Sequence, residues 1–319
     1  MTTISTLVVT DGAAGNERQA RALAAAMGLA PRVERVALAW PWSWLAPHLR
    51  LGAWRALPRD LRGAVEAEKP ALVIGCGRAA ALASAVIRAR TGAYAVQILD
   101  PRASPDAWDL IIAPAHDALV GDNVLTTIGA LNTITPARLA AAAIEYAELA
   151  ALPQPRTAVL FGGTTRAQRL DAAYVSDLLQ RLARWRARDG GSFLATTSRR
   201  TPIGVAETLR ASATPVDRVY TGADEGPNPY LGFLAHADRI VVTPDSVNLV
   251  SEACATGKPV YCFVREPVRG KLAAFHRVLL DTNRLRLLDF EIPEWVPVPL
   301  RETQAVGEEV LRRYRAARR

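Results

Sequence analysis

The sequence predicts an α/β protein of two Rossmann-like domains, each a doubly wound parallel sheet, that face a cleft. Three observations predict this fold class. Short β-branched runs alternate with segments of helical length along the chain. Polar or glycine-containing turns follow the strands. The pattern restarts after the proline-rich residues 152–156, which are typical of a linker. We therefore expect domains at residues 1–152 and 153–301, and a C-terminal helix at 302–319 that packs on the first domain.

The composition indicates a folded chain and narrows the choice of partners. With 319 residues, 50% of them hydrophobic and 22% charged, the chain can form two cores. The net charge of +8 comes almost entirely from arginine, a usage that a GC-rich genome favours. The functional alternative is an anionic partner, either a nucleotide or a phospholipid surface. Nucleic acid is the least expected partner, because no basic run is interleaved with aromatic residues.

The cysteines and the N-terminus predict the compartment. Three cysteines without metal-ligand spacing indicate a reducing environment. The first residues carry no signal-peptide pattern, and no apolar run approaches the ~20 residues of a spanning helix. The expected location is the cytoplasm, with peripheral binding to the cytoplasmic face of the membrane as the alternative.

The first half begins with a strand at residues 4–10, a loop at 11–16 and a helix at 17–27. Gly12 and Gly15 allow the loop backbone to approach a ligand closely, and Asn16 and Gln19 follow them. The loop is neither a P-loop nor a dinucleotide fingerprint, because the third glycine and a GK[ST] ending are missing. Further strands are expected at residues 71–75, 94–99, 109–113 and 124–128, with helices at 79–90 and 136–150.

Residues 38–57 form an unusual apolar stretch with four of the seven tryptophans, Trp40, Trp42, Trp44 and Trp54. Arginines at positions 50 and 55 accompany them. An apolar, tryptophan-rich segment with basic flanks can lie in a membrane interface. The alternative is that these rings pack beneath a loop of the first domain.

The second half repeats the alternation of strands and helices. Strands are expected at residues 157–161, 192–195, 216–220, 240–242 and 260–262, with helices at 171–188, 228–235, 247–256 and 302–318. The first strand ends in the turn Gly162-Gly163-Thr164. The second is followed by Ser198-Arg199-Arg200, just before a helix that begins near residue 202. Hydroxyls and two arginines at a helix N-terminus can hold a diphosphate, and a solvated turn with an N-cap is the alternative.

The stretch at residues 238–262 reads strand, polar turn, helix, turn, strand. Asp245, Ser246 and Asn248 stand where a buried parallel strand ends and a helix begins, which is where open α/β sheets bind ligands. Glu252 lies one turn further, on the same helix face as Asn248. A ligand site in the second half, with polar clusters also in the first, matches the glycosyltransferase B-type (GT-B) architecture, whose C-terminal half holds a nucleotide-sugar.

Six motifs together resemble the mitochondrial-fission "elongated mitochondria" family, whose bacterial members are often labelled nucleoside-diphosphate-sugar epimerases. The motifs are TDGAAGNERQ (10–19), PAHD (114–117), GALN (129–132), FGGTTR (161–166), TTSRRTP (196–202) and PDSVNLVSEACATGKPVY (244–261). The resemblance covers nearly the whole chain. The family form of the first loop is closer to G-x-P-G-H-x-N-Q, and this chain lacks that histidine.

The last motif also resembles the donor site of the lipid-linked N-acetylglucosaminyltransferase of peptidoglycan synthesis. The resemblance implies that Ser246 and Asn248 contact phosphate or sugar and that Glu252 binds the ribose. It also implies that Arg199, Arg200 or Lys271 neutralises the diphosphate leaving group in place of a metal. No DxD-type metal motif is present in the sequence.

The expected activity is therefore metal-independent transfer of a sugar from a nucleotide-sugar to a cell-envelope glycolipid or polysaccharide, with no further cofactor. If the transfer inverts the anomeric centre, we expect the general base among Asp11, His116 and Asp117. A retaining transfer needs no such base, and the sequence does not decide between the two.

Two alternatives remain open at this point. A non-hydrolysing nucleotide-sugar epimerase needs acid–base groups on both sides of the sugar. The second half offers Asp245, Glu225, His236 and His276 for this task, none of them in a recognised pattern. A non-enzymatic scaffold would recruit a partner to a membrane through the tryptophan-rich segment and the basic C-terminal helix.

Overall fold

The computed structural model describes residues 4–165, 169–222, 225–291 and 295–319. The chain divides into two compact units, Met1–Thr133 joined by Glu302–Arg319, and Ile134–Arg301. Each unit contains one six-stranded sheet in which all described strand pairs are parallel. Helices connect the strands. The predicted fold class of two Rossmann-like domains is therefore confirmed.

The sheet of the first unit has the strand order β2-β1-β3-β4-β5-β6. Its strands are β1 (Thr6–Thr10), β2 (Arg32–Arg35), β3 (Leu72–Cys76), β4 (Tyr94–Ile98), β5 (Leu110–Pro114) and β6 (Val124–Thr127). The chain moves outward from β1 to β2 and then crosses back to β3. The order therefore reverses between β1 and β3, and their carboxyl ends form the topological switch point where such sheets bind ligands.

The helices of the first unit cover both faces of its sheet. They are α1 (Ala14–Ala26), α2 (Trp42–Leu45), α3 (Arg59–Glu68), α4 (Arg78–Thr91) and the last helix of the chain, α11 (Thr303–Ala317). Leu7 and Val9 belong to one buried cluster and Val8 to another, because successive strand residues point to opposite faces. None of the helices that the structure describes is long and apolar enough to cross a membrane.

Helix α11 returns to the first unit and closes one face of its core. Val306 and Val310 are buried in the cluster that contains Val8, and a Cβ on Gly307 would lie 2.9 Å from the Ala26 Cβ of α1. The Glu302 carboxylate, just before α11, accepts hydrogen bonds from the N–H groups of Ile128 and Gly129 at 2.9–3.1 Å.

Two arginines near the end of α11, Arg313 within the helix and Arg318 just after it, are also engaged with the first unit. Arg313 donates to the Asp122 carbonyl at 3.3 Å, and Arg318 donates to the Ala71 and Gly92 carbonyls at 3.1 and 2.9 Å. These contacts lie at the amino edge of the sheet, because Ala71 and Gly92 directly precede β3 and β4. The basic end of α11 therefore stabilises the fold, which weakens its predicted use as a membrane contact.

The sheet of the second unit has the order β12-β11-β10-β7-β8-β9. Its strands are β7 (Arg156–Phe161), β8 (Ser192–Thr197), β9 (Arg218–Tyr220), β10 (Arg239–Val242), β11 (Val260–Cys262) and β12 (Arg286–Leu287). Its helices are α5 (Pro136–Glu145), α6 (Ala172–Asp189), α7 (Ile203–Ser212), α8 (Tyr230–His236), α9 (Val247–Ala255) and α10 (Gly270–Asp281). Read from β9, this is the Rossmann order 3-2-1-4-5-6, with its switch point between β7 and β10.

The division between the units comes earlier than the predicted linker at residues 152–156. Helix α5 packs on α8, where a Cβ on Gly232 would lie 2.5 Å from Tyr146 Cγ. The His236 ring nitrogen Nε2 also lies 3.2 Å from the Ala143 carbonyl oxygen. These contacts place α5 with the second unit, although a proline-rich segment separates it from β7 in the sequence.

Four elements were absent from the sequence prediction, among them the four-residue helix α2 within the tryptophan-rich segment. Strand β2 reads RVER and none of its residues is buried, so it lacks the β-branched run that marks the inner strands. Helix α3 buries only Leu61 and Val65, which gives a narrow apolar stripe. Strand β12 has two residues, too few for any periodic pattern.

Candidate functional site

A buried hydrogen-bond network joins the carboxyl ends of β7 and β10 at the switch point of the second unit. The Gly162 N–H donates to Thr243 Oγ1 at 2.8 Å, and the Gly163 N–H donates to Asp245 Oδ2 at 2.8 Å. The Thr243 hydroxyl donates in turn to Asp245 Oδ1 at 2.6 Å. All four residues are buried. The network therefore forms the floor of this edge of the sheet.

The two glycines of this network are required by close packing of the loops. A Cβ on Gly162 would lie 2.1 Å from Asp245 Oδ2, and one on Gly163 would lie 2.4 Å from Arg200 Cβ. The sequence predicted that Gly162, Gly163 and Asp245 contact the donor directly. In the structure the Gly162 N–H binds the Thr243 hydroxyl and the Gly163 N–H binds the Asp245 carboxylate, because three loops meet here and must satisfy their own polar groups. Their contact with a donor stays a prediction.

The turn between β10 and α9 is held from two sides. Ser246 is the N-cap of α9, and its Oγ accepts a hydrogen bond from the Leu249 N–H at 3.3 Å. Asn248 lies in the first turn of α9 and is half-buried. The His276 ring of α10 places Nε2 3.0 Å from the Pro244 carbonyl oxygen. Burial lowers the pKa of His276, so the neutral ring that donates to this carbonyl is favoured.

Glu252 lies near the middle of α9, with 8% of its surface exposed. Its Oε2 accepts a hydrogen bond from the Tyr230 hydroxyl at 2.6 Å. Tyr230 is the first residue of α8 and was absent from the predicted site. No spacing in the sequence relates two residues 22 positions apart, so only the packing of α8 and α9 reveals the pair.

The loop after β8 carries two arginines beside the network. Thr201 Oγ1 donates to the Gly162 carbonyl and lies 3.1 Å from Ser198 Oγ, which ties the loop to the switch point. Arg199 and Arg200 are exposed. Among the residues that the structure describes, no carboxylate pairs with either guanidinium. The loop therefore presents two positive charges at the edge, which is compatible with the predicted diphosphate site and with the alternative of a solvated turn.

Two further predicted residues border this edge. Thr164 is exposed, and its Oγ1 accepts a hydrogen bond from the Leu170 N–H at 3.2 Å. Lys271 is exposed in the first turn of α10. Arg166, the last residue of the FGGTTR motif, lies outside the described residues.

The switch point of the first unit contains Asp11. The Asn16 Nδ2 donates to Asp11 Oδ1 and Oδ2 at 2.9 and 3.0 Å, and the Ala13 N–H donates to Oδ1 at 3.1 Å. Gly77 follows β3 with φ +100°, and a Cβ there would lie 2.2 Å from Asp11 Oδ2. Asp11 itself is exposed.

The other first-loop residues differ in exposure. Gly12 is exposed with φ +82°, a conformation that favours glycine. Gly15 is half-buried in α1. Gln19 also lies in α1 and is buried, with 4% of its surface exposed. The helix, which the sequence predicted to begin near residue 17, turns the Gln19 side chain toward the core, so Gln19 is less accessible to a ligand than Gly12.

His116 and Asp117 lie in a short 3-10 turn that follows β5. Asp117 Oδ2 accepts a hydrogen bond from the Asp100 N–H at 3.4 Å, which links the ends of β4 and β5. Strands β1 and β5 are three strand spacings apart in this sheet, or roughly 14 Å. Asp11 and His116 therefore start from well-separated strand ends, and they do not form one acid–base pair.

The acid–base groups that an epimerase would take from the second unit are held in structural contacts. Glu225 pairs with Arg210 and accepts a hydrogen bond from the Thr221 hydroxyl at 2.8 Å. His236 contacts α5, and His276 contacts the Pro244 carbonyl. Across the described part of the chain, no group of three His, Cys, Asp or Glu side chains is placed to hold a metal ion.

Comparisons of the sequence with known proteins identify a matching family profile and a similar characterised protein. The profile of the family described as mitochondrial fission ELM1 matches residues 14–314. The mitochondrial fission protein ELM1 of Arabidopsis thaliana is 33% identical over 304 residues, covering 84% of this chain and 71% of that protein.

Two solved structures share the fold. A UDP-GlcNAc 2-epimerase from Methanocaldococcus jannaschii superposes with a TM-score of 0.59 at 12% identity, covering 96% of this chain and 98% of its own. MurG from Acinetobacter baumannii gives 0.52 at 12% identity, covering 97% and 90%. These neighbours belong to the GT-B class of epimerases and glycosyltransferases.

Proposed function

The chain belongs to the mitochondrial fission ELM1 family, and from this premise we propose that it is a GT-B glycosyltransferase. It binds a nucleotide-sugar at the carboxyl edge of the second unit and transfers the sugar, without a metal, to a cell-envelope glycolipid or polysaccharide. One observation carries the proposal. The switch point between β7 and β10 is bordered by the α9 N-terminus and by the exposed Arg199 and Arg200.

The charges at this edge suit a nucleoside diphosphate. Two guanidiniums without carboxylate partners among the described residues can pair with phosphate oxygens, and a bidentate Arg–phosphate pair is strong and directional. The α9 N-terminus adds a partial positive charge beside Ser246 and Asn248. In this assignment the diphosphate leaving group is stabilised by the positive charges of Arg199, Arg200 and Lys271. These side chains take the role that a metal ion has in other transferases.

Glu252 is assigned to the ribose of the donor. It lies in α9 beyond Asn248, and a carboxylate accepts hydrogen bonds from both hydroxyls of a diol. Tyr230 donates to one of its oxygens and fixes the orientation of the other. Asp245, Gly162 and Gly163 shape the edge beneath these groups, since the hydroxyl of Thr243 and the Asp245 carboxylate accept the two glycine N–H groups.

The general base is assigned to the first unit. The Asp11 carboxylate is exposed and accepts a hydrogen bond from the Asn16 side chain. Asp117, which follows His116 in the sequence, accepts a hydrogen bond from the Asp100 N–H. Because their strands lie roughly 14 Å apart in one sheet, only one of these two groups deprotonates a given acceptor hydroxyl. This base is needed if the transfer inverts the anomeric centre, and a retaining transfer does not require it.

An epimerase is the second candidate, favoured by the UDP-GlcNAc 2-epimerase neighbour. The contacts of the second unit argue against it. Epimerisation requires free acid–base groups, and Asp245, Glu225 and His276 each form hydrogen bonds with other groups of the protein. Incubation of a nucleotide-sugar without acceptor separates the two, since an epimerase converts it and a transferase leaves it nearly intact.

Calorimetric titration with a panel of nucleoside diphosphates and their sugars tests the proposal. We expect one nucleotide to bind in the presence of a chelator. Arg199→Ala with Arg200→Ala should weaken its binding roughly tenfold or more, because two charge-assisted hydrogen bonds are lost. Arg277→Ala, at an exposed arginine of α10, is the matched control. Absence of binding across the panel would remove the enzymatic proposal and leave the scaffold alternative.

A further inference from the structure

The tryptophan-rich segment separates its indoles into inward and outward sets. Trp42 packs against Ala46, Ala53 and Leu82, and its Nε1 donates to the Leu51 carbonyl at 3.1 Å. Trp40 and Trp44 instead expose 82% and 76% of their surfaces. We call Trp40, Trp44, Leu45 and Leu51 the indole patch. The last two are 38% and 86% exposed.

The backbone beneath the indole patch is held in place. Arg78, at the start of α4, donates to the Ser43 carbonyl at 2.8 Å, and the Ala39 N–H donates to the Ala56 carbonyl at 3.1 Å. A Cβ on Gly52, whose φ is +67°, would already touch the Trp42 ring at 3.4 Å. The exposed rings therefore project from a segment whose backbone is hydrogen-bonded to the rest of the first unit.

Along its own segment of the chain, the indole patch is flanked only by positive charge, and the exposed Asp106 lines a pocket together with Arg50. Between Glu34 and Asp60 the sequence contains no acidic residue, whereas Arg50, Arg55 and Arg59 are all exposed. A surface of protruding indoles and leucine with basic neighbours complements the anionic headgroups and acyl boundary of a bilayer.

From these observations we propose that the indole patch inserts into the surface of a membrane that contains anionic lipid. Trp40, Trp44 and Leu51 enter the boundary between headgroups and acyl chains, and Arg50 and Arg55 pair with lipid phosphates. This binding is peripheral and does not depend on the glycosyltransferase proposal.

The position of the indole patch connects membrane binding with the first unit's switch point. The segment begins directly after β2, where the Val36 N–H donates to the Thr10 carbonyl at 2.8 Å. Arg78, which anchors Ser43, directly follows Gly77 beside Asp11. The segment of the indole patch and Asp11 therefore both follow strand ends at the carboxyl edge of the first sheet. A lipid-linked substrate in the bound membrane would be presented to this edge.

Vesicle sedimentation of the full chain tests the proposal. The vesicles consist of phosphatidylcholine alone or of phosphatidylcholine mixed with phosphatidylglycerol. We expect binding to the mixed vesicles, and a roughly tenfold or larger loss of partitioning for Trp40→Ala with Trp44→Ala. Ile144→Ser with Val296→Ser, which are 79% and 86% exposed in the second unit, are the matched controls and should bind like the wild type.

Charge and insertion are tested separately. Arg50→Glu with Arg55→Glu should reduce binding to the mixed vesicles, whereas Arg277→Glu with Arg315→Glu should reduce it much less. Brominated lipid should quench the tryptophan fluorescence of the wild type. Trp40→Phe with Trp44→Phe should keep binding but lose most of that quenching.

Three outcomes would overturn the proposal. The first is no binding of the wild type to either vesicle, and the second is equal binding by the Trp40→Ala, Trp44→Ala variant and its control. The third is a change of oligomeric state in that variant without vesicle binding by the wild type, which would make the patch a contact between copies of the chain. Far-UV circular dichroism and melting curves of each variant should match those of the wild type, which shows that a loss of vesicle binding does not come from a folding defect.

Discussion

The Asp245 carboxylate and the Gly162 Cα meet so closely that no side chain fits between them. A Cβ on Gly162 would lie 2.1 Å from Asp245 Oδ2, while that oxygen accepts the Gly163 N–H at 2.8 Å. The two residues belong to loops that follow neighbouring strands, β7 and β10. Their contact therefore sets the geometry of the switch point and can be tested independently of any ligand.

Gly162→Ala should destabilise the second unit. The added methyl group must displace a buried carboxylate that already holds two hydrogen bonds, and overpacking of this kind costs about 1–3 kcal/mol. Gly204→Ala is the control, because its Cβ would meet nothing within 4 Å and it lies in α7. That change should be neutral or stabilise the helix by up to ~1 kcal/mol. Urea unfolding of both variants gives the comparison, and equal midpoints would contradict the assigned role of Gly162.

Much of the fold could be predicted because the inner strands carry an unambiguous pattern. Ile240, Val241 and Val242 form a β-branched run and are completely or almost completely buried in β10. The outer strand β2 could not be predicted in the same way. An edge strand pairs with a neighbouring strand on only one side, and it tolerates charged residues. The C-terminal helix was predicted with nearly the bounds that the structure gives.

The site could be predicted in position but not in contacts. The turn after residue 242 was expected at a strand end, and it lies there at the switch point. Two of its side chains, Thr243 and Asp245, accept hydrogen bonds from glycines about eighty positions away. A single sequence contains no signal for such pairs. The same reason explains why Tyr230 and His276 were not predicted in their observed roles.

Tyr230→Phe should weaken the recognition of ribose if Glu252 binds the donor. Loss of the 2.6 Å hydrogen bond leaves the buried carboxylate less well oriented. We expect a few-fold loss of affinity for the preferred nucleoside diphosphate and a smaller loss for its 2′-deoxy analogue. Glu252→Gln should lose roughly tenfold or more, again mainly for the ribonucleotide.

Calorimetry of the two nucleotides with each variant makes this measurement, with Tyr314→Phe in α11 as the control. If the ribonucleotide and the deoxy analogue lose affinity equally, the pair has no role at the ribose and Tyr230 is only a packing residue. If no variant or wild-type protein binds either nucleotide, the failure lies in the proposed function itself.

His276 should make the stability of the second unit depend on pH below about 6.5. Burial lowers the pKa of this ring from 6.5, and the bond to the Pro244 carbonyl only partly opposes that shift. Because the folded pKa is below the unfolded one, the unfolded chain binds more protons between these two values. The free energy of unfolding therefore falls as pH decreases through this window, and is unaffected by this group above it.

His276→Gln should remove this pH dependence of the free energy of unfolding, while the amide nitrogen of the glutamine can still donate to the Pro244 carbonyl. We expect the variant to be less stable than the wild type near neutral pH, with the difference shrinking as the pH falls toward 5. Denaturant midpoints across that range test the prediction. His48→Gln, at an exposed position, is the control. A difference that stays constant with pH would show that His276 does not titrate between the folded and unfolded states.

Glu302→Ala should loosen the end of β6 in the first unit. The Glu302 carboxylate accepts both backbone N–H groups that follow this strand, those of Ile128 and Gly129, at 2.9–3.1 Å. Its removal leaves two partly buried donors without that acceptor and should cost about 1–3 kcal/mol.

Hydrogen exchange of these two amides should then accelerate roughly tenfold or more, because their opening becomes easier. Glu308→Ala, one and a half turns further along α11 and exposed, should leave their exchange unchanged. Equal exchange in both variants would mean that the apolar contacts of Val306 and Val310 alone hold α11 on the sheet.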